Sequence, residues 1–477
     1  MKIKIEYVIL LCIILLGLFL RLYHVSYPYL DHHSWRQTDT AMIARNFYRN
    51  NFNILRPEVD WNGDEPSVIE LELQITPFLT SILYTFFGIK DWVGRIIPIV
   101  FSLMSIIYLY KLIELYYNKK MALFSAFVFT ILPLNVFFSR VLMPESGMIL
   151  FSIASLYYFS RFNRYEKQGD FIFSLIFTTL AFLSKLSNLY LLFPLLVILI
   201  SKKGLKFITN KKIWLFFFVV ILIPVLYYGY MHYNADIKIM PYQIGTDSKW
   251  GNLEVWNSSS FYKTLFFRFH TIIFTSLGLL LFIASLILGK KNLFFYSWLG
   301  SVILYFFVVA KGNEIHTYYQ MPILPIGSFF IGLMLYKIYK IRKLKLVSFL
   351  FCSVLFYLSI SNLLPLYNMY AYSVYPAAIK LNEIDLNNSL VLSIPHRMDI
   401  MPELLYYADR KGWIIRPDKL SDETIEKYKE KKVKYIVLTE PFYLDQQTRD
   451  NLKNHEVYKG DNFIILEIGI GSKNREP

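Results

Sequence analysis

Apolar stretches recur along most of this chain, about eleven of them, most roughly 17–22 residues long and separated mainly by short charged loops. A helix of that length crosses the ~30 Å hydrocarbon layer of a bilayer while satisfying its own backbone polar groups. The runs lie at about 5–22, 92–112, 121–138, 145–160, 171–184, 186–200, 213–231, 266–288, 293–310, 318–336 and 346–365. The pair at 171–200 is short and hinges at Lys185, as a tight helical hairpin would. Composition agrees: of 477 residues, 55% are hydrophobic and only 18% charged, too few charges for a soluble chain of this size. The expected fold class is an α-helical polytopic membrane protein. Cys12 and Cys352 both fall inside apolar runs as small hydrophobes, and a count of two excludes a disulfide framework. Lys2 and Lys4 precede the first run as in a signal peptide. Arg21 and Tyr23 follow it in place of a small-residue cleavage site, so it reads as an uncleaved span.

The net charge of +15 sits mainly in tracts between apolar runs, such as Lys202, Lys203, Lys206, Lys211 and Lys212. Loops of that kind orient a membrane protein through the positive-inside rule, and a nucleic-acid partner is not expected. With the N-terminus cytoplasmic, the inside loops collect Lys111, Lys119, Lys120, Arg161, Arg164, Lys167, the 202–212 cluster, Lys290, Lys291 and the basic tract from Lys337 to Lys345. The short outside turns hold only Arg140, Lys185 and Lys311. Two long loops, 23–91 and 232–265, then lie outside, and an odd number of spans leaves the tail there too. From about 370 the pattern turns soluble. Strand-like runs at 389–394, 433–438 and 463–467 alternate with helical stretches at 402–410 and 421–431. The expected organisation is a membrane domain over 1–369 and a small extracytoplasmic α/β domain over 370–477.

The first long loop carries most of the chemistry. Thr38 or Asp39 can cap a helix whose apolar face uses Ile43, Ala44 and Phe47 while Arg45, Asn46 and Arg49 face water, so that it lies along the membrane interface. A second amphipathic stretch, 71–87, repeats Ile75, Phe78, Leu79, Ile82, Leu83 and Phe86 at helical spacing. Asp31, His33, Arg36, Asp39 and Glu72 sit among these segments. An acidic and basic cluster held at a membrane surface suits a phosphate-linked lipid: cations grip the phosphate and a carboxylate accepts a proton. Asp60, Asp64, Glu65 and Glu70 read instead as charges that solvate the loop. Arg140 and Glu145 bracket the turn SRVLMPE, Lys185 tips the short hairpin, and His316, Tyr319 and Gln320 open the tenth run in EIHTYYQMPILP. Taken singly, Glu145 is a helix start, Lys185 a snorkelling cation and the tyrosines an aromatic belt. Together they all fall on the outside face, where one site could collect them, whereas a carrier more often places its ionisable groups near the midplane.

The motif His33-Ser34-Trp35-Arg36-Gln37-Thr38-Asp39-Thr40-Ala41, continued by Ile43-Ala44-Arg45-Asn46-Phe47-Tyr48, resembles the GT-C glycosyltransferases of the protein O-mannosyltransferase and lipid A aminoarabinose transferase superfamily, in a bacterial branch. VDWNGDEP, SRVLMPE and HTYYQMPILP follow in the order of that branch, so the resemblance runs from the N-terminus to about 340. It implies a sugar moved from a polyprenyl-phosphate donor to an acceptor hydroxyl of a glycan, lipid or protein in the cell envelope, with inversion and a single Asp base. It implies that base at the start of the first loop. Many members carry Asp-Glu there and this chain has Asp31-His32, which leaves the role between Asp31, favoured by its distance from the first span, and Asp39. Glu72 matches a second acidic position. The donor phosphate would meet Arg36, Arg140, Lys185 and His316. No His/Cys ligand set is present and no cofactor is expected, although some GT-C members use a divalent metal. The rival reading is a lipid-linked sugar or polysaccharide transporter.

Overall fold

The computed structural model describes residues 4–50, 52–239, 249–289, 291–368, 372–395, 401–440, 452 and 455–468. Lys2, Lys290, the 240–248 part of the second long loop and 469–477 of the tail lie outside the described residues.

All eleven apolar runs are helical. Among the described residues, five helices are long and apolar enough to cross a membrane: α1 (Ile5–Leu22), Asp91–Tyr116, Lys211–Asn234, Ile323–Lys340 and the segment Arg342–Tyr367. The run at 266–288 is a bent pair, Ser259–Ile273 and Ser276–Leu288, turning by 105°. The run at 121–138 is broken at Leu132, where Pro133 takes the first turn of the next helix, Pro133–Phe138, the place in a helix that has no use for its missing N–H. The 171–200 hairpin becomes Gln168–Ser184, a 3₁₀ turn at Leu186–Leu191 and Leu192–Lys203, with Lys185 extended at the tip. The molecule is a polytopic α-helical membrane protein with a small sheet domain.

Charges segregate to the two ends of the bundle. At one end Lys119 pairs with Glu114 at 3.8 Å, Arg164 donates to Leu115 O, Lys202 to Asn163 O, Lys212 to Gln168 and Lys337 to Leu288 O. At the other end the first loop meets the turns after Phe138, Ser184 and Ile315.

Two short helices shape that loop, and the first departs from the expectation. In α2 (Ser34–Arg49) Arg45 and Asn46 are buried, not water-facing. Arg45 pairs with Asp60 at 2.9 Å and Asp409 at 2.9 Å, and Asn46 donates to Glu58 O and Asp60. The tail domain covers α2, so the helix is packed in protein and not laid along lipid. In α3 (Ile75–Phe87) the small and polar face of Thr76, Thr80, Ser81 and Tyr84 packs inward, while Ile82, Phe86 and Phe87 point out. That is the face an amphipathic helix held to a membrane surface presents, as expected for this stretch. Asp60 and Glu70 are likewise buried and bonded, Glu70 to His232 at 2.9 Å and to Ile239 N, whereas Glu65 stays exposed beside Lys411.

Six strands form one sheet in the order β2-β5-β4-β6-β8-β7. These are β4 (Val391–Ile394), β5 (Gly412–Ile414), β6 (Tyr435–Thr439), β7 (Glu456–Lys459), β8 (Phe463–Glu467) and β2 (Asn62–Gly63), while β1 (Glu58–Val59) and β3 (Ser67–Val68) pair apart. β4 runs parallel to β5 and β6, and every residue of it is buried, as a central parallel strand requires. The three expected strands are therefore present. β2 was not foreseen: it comes from the first long loop and pairs antiparallel with β5, Asn62 opposite Trp413. A shared apolar core of Ile43, Phe47, Leu142, Leu381, Leu405 and Val437 joins loop, bundle and tail.

Candidate active site

The chain enters α2 through His33, whose φ of 60° turns the backbone sharply. Arg36 and Asp39 then lie three residues apart on one helix face. One guanidinium nitrogen of Arg36 contacts Asp39 Oδ2 at 3.2 Å and the other contacts Glu72 Oε1 at 2.7 Å. Glu72 stands on the extended segment before α3, which Leu73 N ties to Leu183 O at 2.9 Å. That bond brings the hairpin tip alongside, where Lys185 Nζ donates to Glu145 Oε1 at 2.8 Å. The Lys185 ammonium also lies 4.7 and 4.6 Å from the ring centres of Tyr318 and Tyr319. His316 stacks on both tyrosines, and His32 and His33 meet Thr317 Oγ1 at 2.8 and 3.1 Å. The loops at 31–39 and 316–320 are thus on one side of the bundle.

Burial governs the charges here. It pushes the Asp39 carboxyl above its ordinary range, and Arg36 together with the Trp61 indole N–H, 3.0 Å from Oδ1, offsets this only in part. For Arg36 and Lys185 burial opposes the cation, but Glu72 and Asp39 on the first and Glu145 on the second more than compensate, so both hold their protons more firmly than usual. His316 is pushed down to about 3 by burial and by Lys249, Lys185, Arg268 and Arg36, which leaves it neutral near pH 7. It offers hydrogen bonds and no charge.

Asp31 belongs to a second, adjoining cluster. Its Oδ1 accepts from Gln37 Nε2 at 2.6 Å and its Oδ2 from Arg140 at 3.3 Å, with Arg95 4.0 Å away, and the residue is 1% exposed. Arg140 also donates to His24 O and lies over the Tyr367 ring, and Arg95 lies over Tyr29. Of the residues singled out in sequence, His33, Arg36, Asp39, Glu72, Glu145, Lys185, His316 and Tyr319 converge. Asp31 and Arg140 brace each other beside them. Gln320 instead bonds Asn313 O at 2.5 Å within its own loop. Trp61, Gln37, Arg95 and Thr317 were missed. Arg95 had a signal, a lone charge in the first turns of an apolar run, and Gln37, Trp61 and Thr317 lie inside the quoted motifs HSWRQTDTA, VDWNGDEP and HTYYQMPILP. Among the described residues no three His, Cys, Asp or Glu side chains are arranged to hold a metal ion.

An apolar groove of about 280 Å³ runs beside the cluster, lined by Phe182, Leu186, Leu189, Val220, Pro224 and Tyr228. Leu186 follows Lys185 directly, so the hairpin that carries the ammonium also lines the groove. Leu186 and Leu189 are exposed, which leaves the groove open toward the lipid side.

This fold, a helical bundle with a polar cluster at one end and a small sheet domain over it, is shared with ArnT and with an archaeal oligosaccharyltransferase. The structure superposes on ArnT from Cupriavidus metallidurans in the apo state with a TM-score of 0.70, over 96% of this chain and 97% of that one, at 11% identity. For ArnT bound to undecaprenyl phosphate the TM-score is 0.69, over 98% and 99%, at 12% identity. The Archaeoglobus fulgidus oligosaccharyltransferase, in complex with Zn and sulfate, matches at 0.59 over 91% of this chain and 68% of that one, at 13% identity. In sequence, residues 74–228 match the family model described as dolichyl-phosphate-mannose-protein mannosyltransferase. No curated protein matches the chain in sequence.

Proposed function

We propose that the protein transfers a monosaccharide from a polyprenyl-phosphate donor to an acceptor hydroxyl at the outer face of the membrane. The observation that carries this reading is the pair of half-buried cations, Arg36 and Lys185, each held by carboxylates, on a hairpin and loop beside which an apolar groove opens. The groove suits a prenyl chain and the cations suit its phosphate. That ArnT is seen with undecaprenyl phosphate, on the same fold, supports the donor class. The charge asymmetry of the loops supports a cytoplasmic N-terminus and an extracytoplasmic tail.

In this mechanism the acceptor oxygen attacks the anomeric carbon as the bond from that carbon to the phosphate oxygen breaks, inverting the configuration. The leaving electron pair stays on the phosphate, which Arg36 and Lys185 stabilise without a general acid. The acceptor proton passes to a carboxylate. Asp39 is the better placed of the two candidates, because its proton affinity is raised and it shares Arg36 with Glu72, whereas Asp31 is 1% exposed and serves as counter-charge to Arg140 and Arg95. Asp31 then braces Arg95 and Arg140 beneath the site.

Purified protein in liposomes carrying a labelled polyprenyl-phosphate sugar tests the reading. Label should appear on an added acceptor, and Lys185→Ala should raise the donor KM. Donor that crosses the bilayer without any glycosyl product would identify a carrier instead.

A further inference from the structure

One short helix of the tail, Glu403–Ala408, makes a series of contacts with the first loop. Glu403 Oε1 accepts from Ser34 Oγ at 2.8 Å, with both residues buried. The Tyr406 carbonyl accepts from Arg45 at 2.8 Å, and the Tyr407 hydroxyl accepts from Tyr29 N at 2.5 Å. Just beyond, Asp409 takes a bidentate pair from Arg49 at 2.8 and 2.6 Å.

The Ser34 contact differs from the others in its position. Ser34 opens α2, two residues before Arg36, and the helix has no side-chain cap of its own: the preceding residue, His33, makes no capping bond. First-turn N–H groups that lack a local cap leave a helix start free to fray or shift. Here a carboxylate more than three hundred residues away in sequence takes the Ser34 hydroxyl at that start. Its negative charge also suits the positive end of the helix dipole.

We infer that Glu403 is a positioning residue which, through Ser34, fixes where the start of α2 holds Arg36 and, one turn on, Asp39. The tail domain is thereby part of the transfer site and not a separable acceptor module. This rests on the transferase reading above.

The test uses the full chain in three variants, Ser34→Ala, Glu403→Ala and the double. Each single change should lower kcat by about 10-fold or more, within the ~10²-fold that roughly 1 Å of misplacement costs. The double variant should be no worse than the poorer single, because both remove one interaction. Glu403→Gln, which keeps an acceptor oxygen, should retain most of the activity. Arg49→Ala, which breaks an exposed pair at the far end of α2, should leave turnover unchanged. Hydrogen exchange over residues 34–40 supplies a readout independent of catalysis: it should quicken in Ser34→Ala and Glu403→Ala while the rest of the bundle stays protected. Ser34→Ala with unchanged exchange and unchanged turnover overturns the inference, as do costs that simply add. Absence of product from the unmodified protein overturns the transferase reading alone, since the exchange result still decides the positioning role.

Discussion

Arg36 holds Asp39 and Glu72 with different nitrogens of one guanidinium, 3.2 Å from the first carboxylate and 2.7 Å from the second. A planar fork does this from separate nitrogens at a fixed spacing, which the single nitrogen of an ammonium cannot reproduce. An incoming phosphate would compete for the same nitrogens, so these ion pairs keep the site ordered before donor arrives.

Arg36→Ala should therefore lower kcat/KM by about 10²–10³-fold, the loss expected for one donor to a developing anion. Arg36→Lys should recover only part of it. Steady-state kinetics with donor varied at fixed acceptor would show this. Equal activity of the Lys variant would mean that charge alone suffices.

Replacing each aspartate separates their roles. Asp39→Asn should cut turnover by about 10²–10⁴-fold, the usual worth of a general base, with donor binding largely kept. Asp31→Asn should act on the fold instead, because Arg95 and Arg140 lose their shared counter-charge inside protein; removing one partner of a buried pair costs about 3–5 kcal/mol. Thermal unfolding in detergent alongside the transfer assay would distinguish them. A stable but inactive Asp31→Asn, with Asp39→Asn active, would exchange the assignments.

The pH dependence of turnover should carry the Asp39 signature. Burial raises its proton affinity, so the ionised base is lost as pH falls through a value above the ~3.9 of an unperturbed aspartate. The acid limb of the kcat profile should sit correspondingly high and should disappear in the residual activity of Asp39→Asn.

His316 makes a separate prediction about stability. Its folded pKa of about 3 lies below the ordinary histidine value, so the unfolded chain binds the extra proton first. The stability this confers is present above ~6.5 and is lost as pH falls toward the folded value. Melting curves of His316→Gln taken across that window should be less acid-sensitive than those of the unmodified protein.

Gly412 marks the joint between loop and tail. A Cβ there would run into the backbone carbonyl of Val391, where β5 passes β4 and receives β2. Gly412→Ala should cost about 1–3 kcal/mol through overpacking. Limited proteolysis should then release the tail sooner, and unchanged protection would count against the shared sheet.

Much of this architecture was written locally. The apolar runs, the basic loops between them and the three central strands of the tail follow from solvent: hydrocarbon, water and a buried sheet each impose a period or a length on the residues that face them. The motif around Arg36 and Asp39 also stood out, because polar residues are rare beside spans. What the same residues touch was not legible. Arg45 looked water-facing on helical spacing alone, yet it is buried against Tyr406, 361 positions away. The capture of β2 by the tail sheet and the enclosure of Asp31 by Arg95 and Arg140 are of the same kind. Periodicity tells a residue which face of its own element it occupies, but which solvent or neighbour that face meets is set by long-range packing, and only the folded chain brings those partners together.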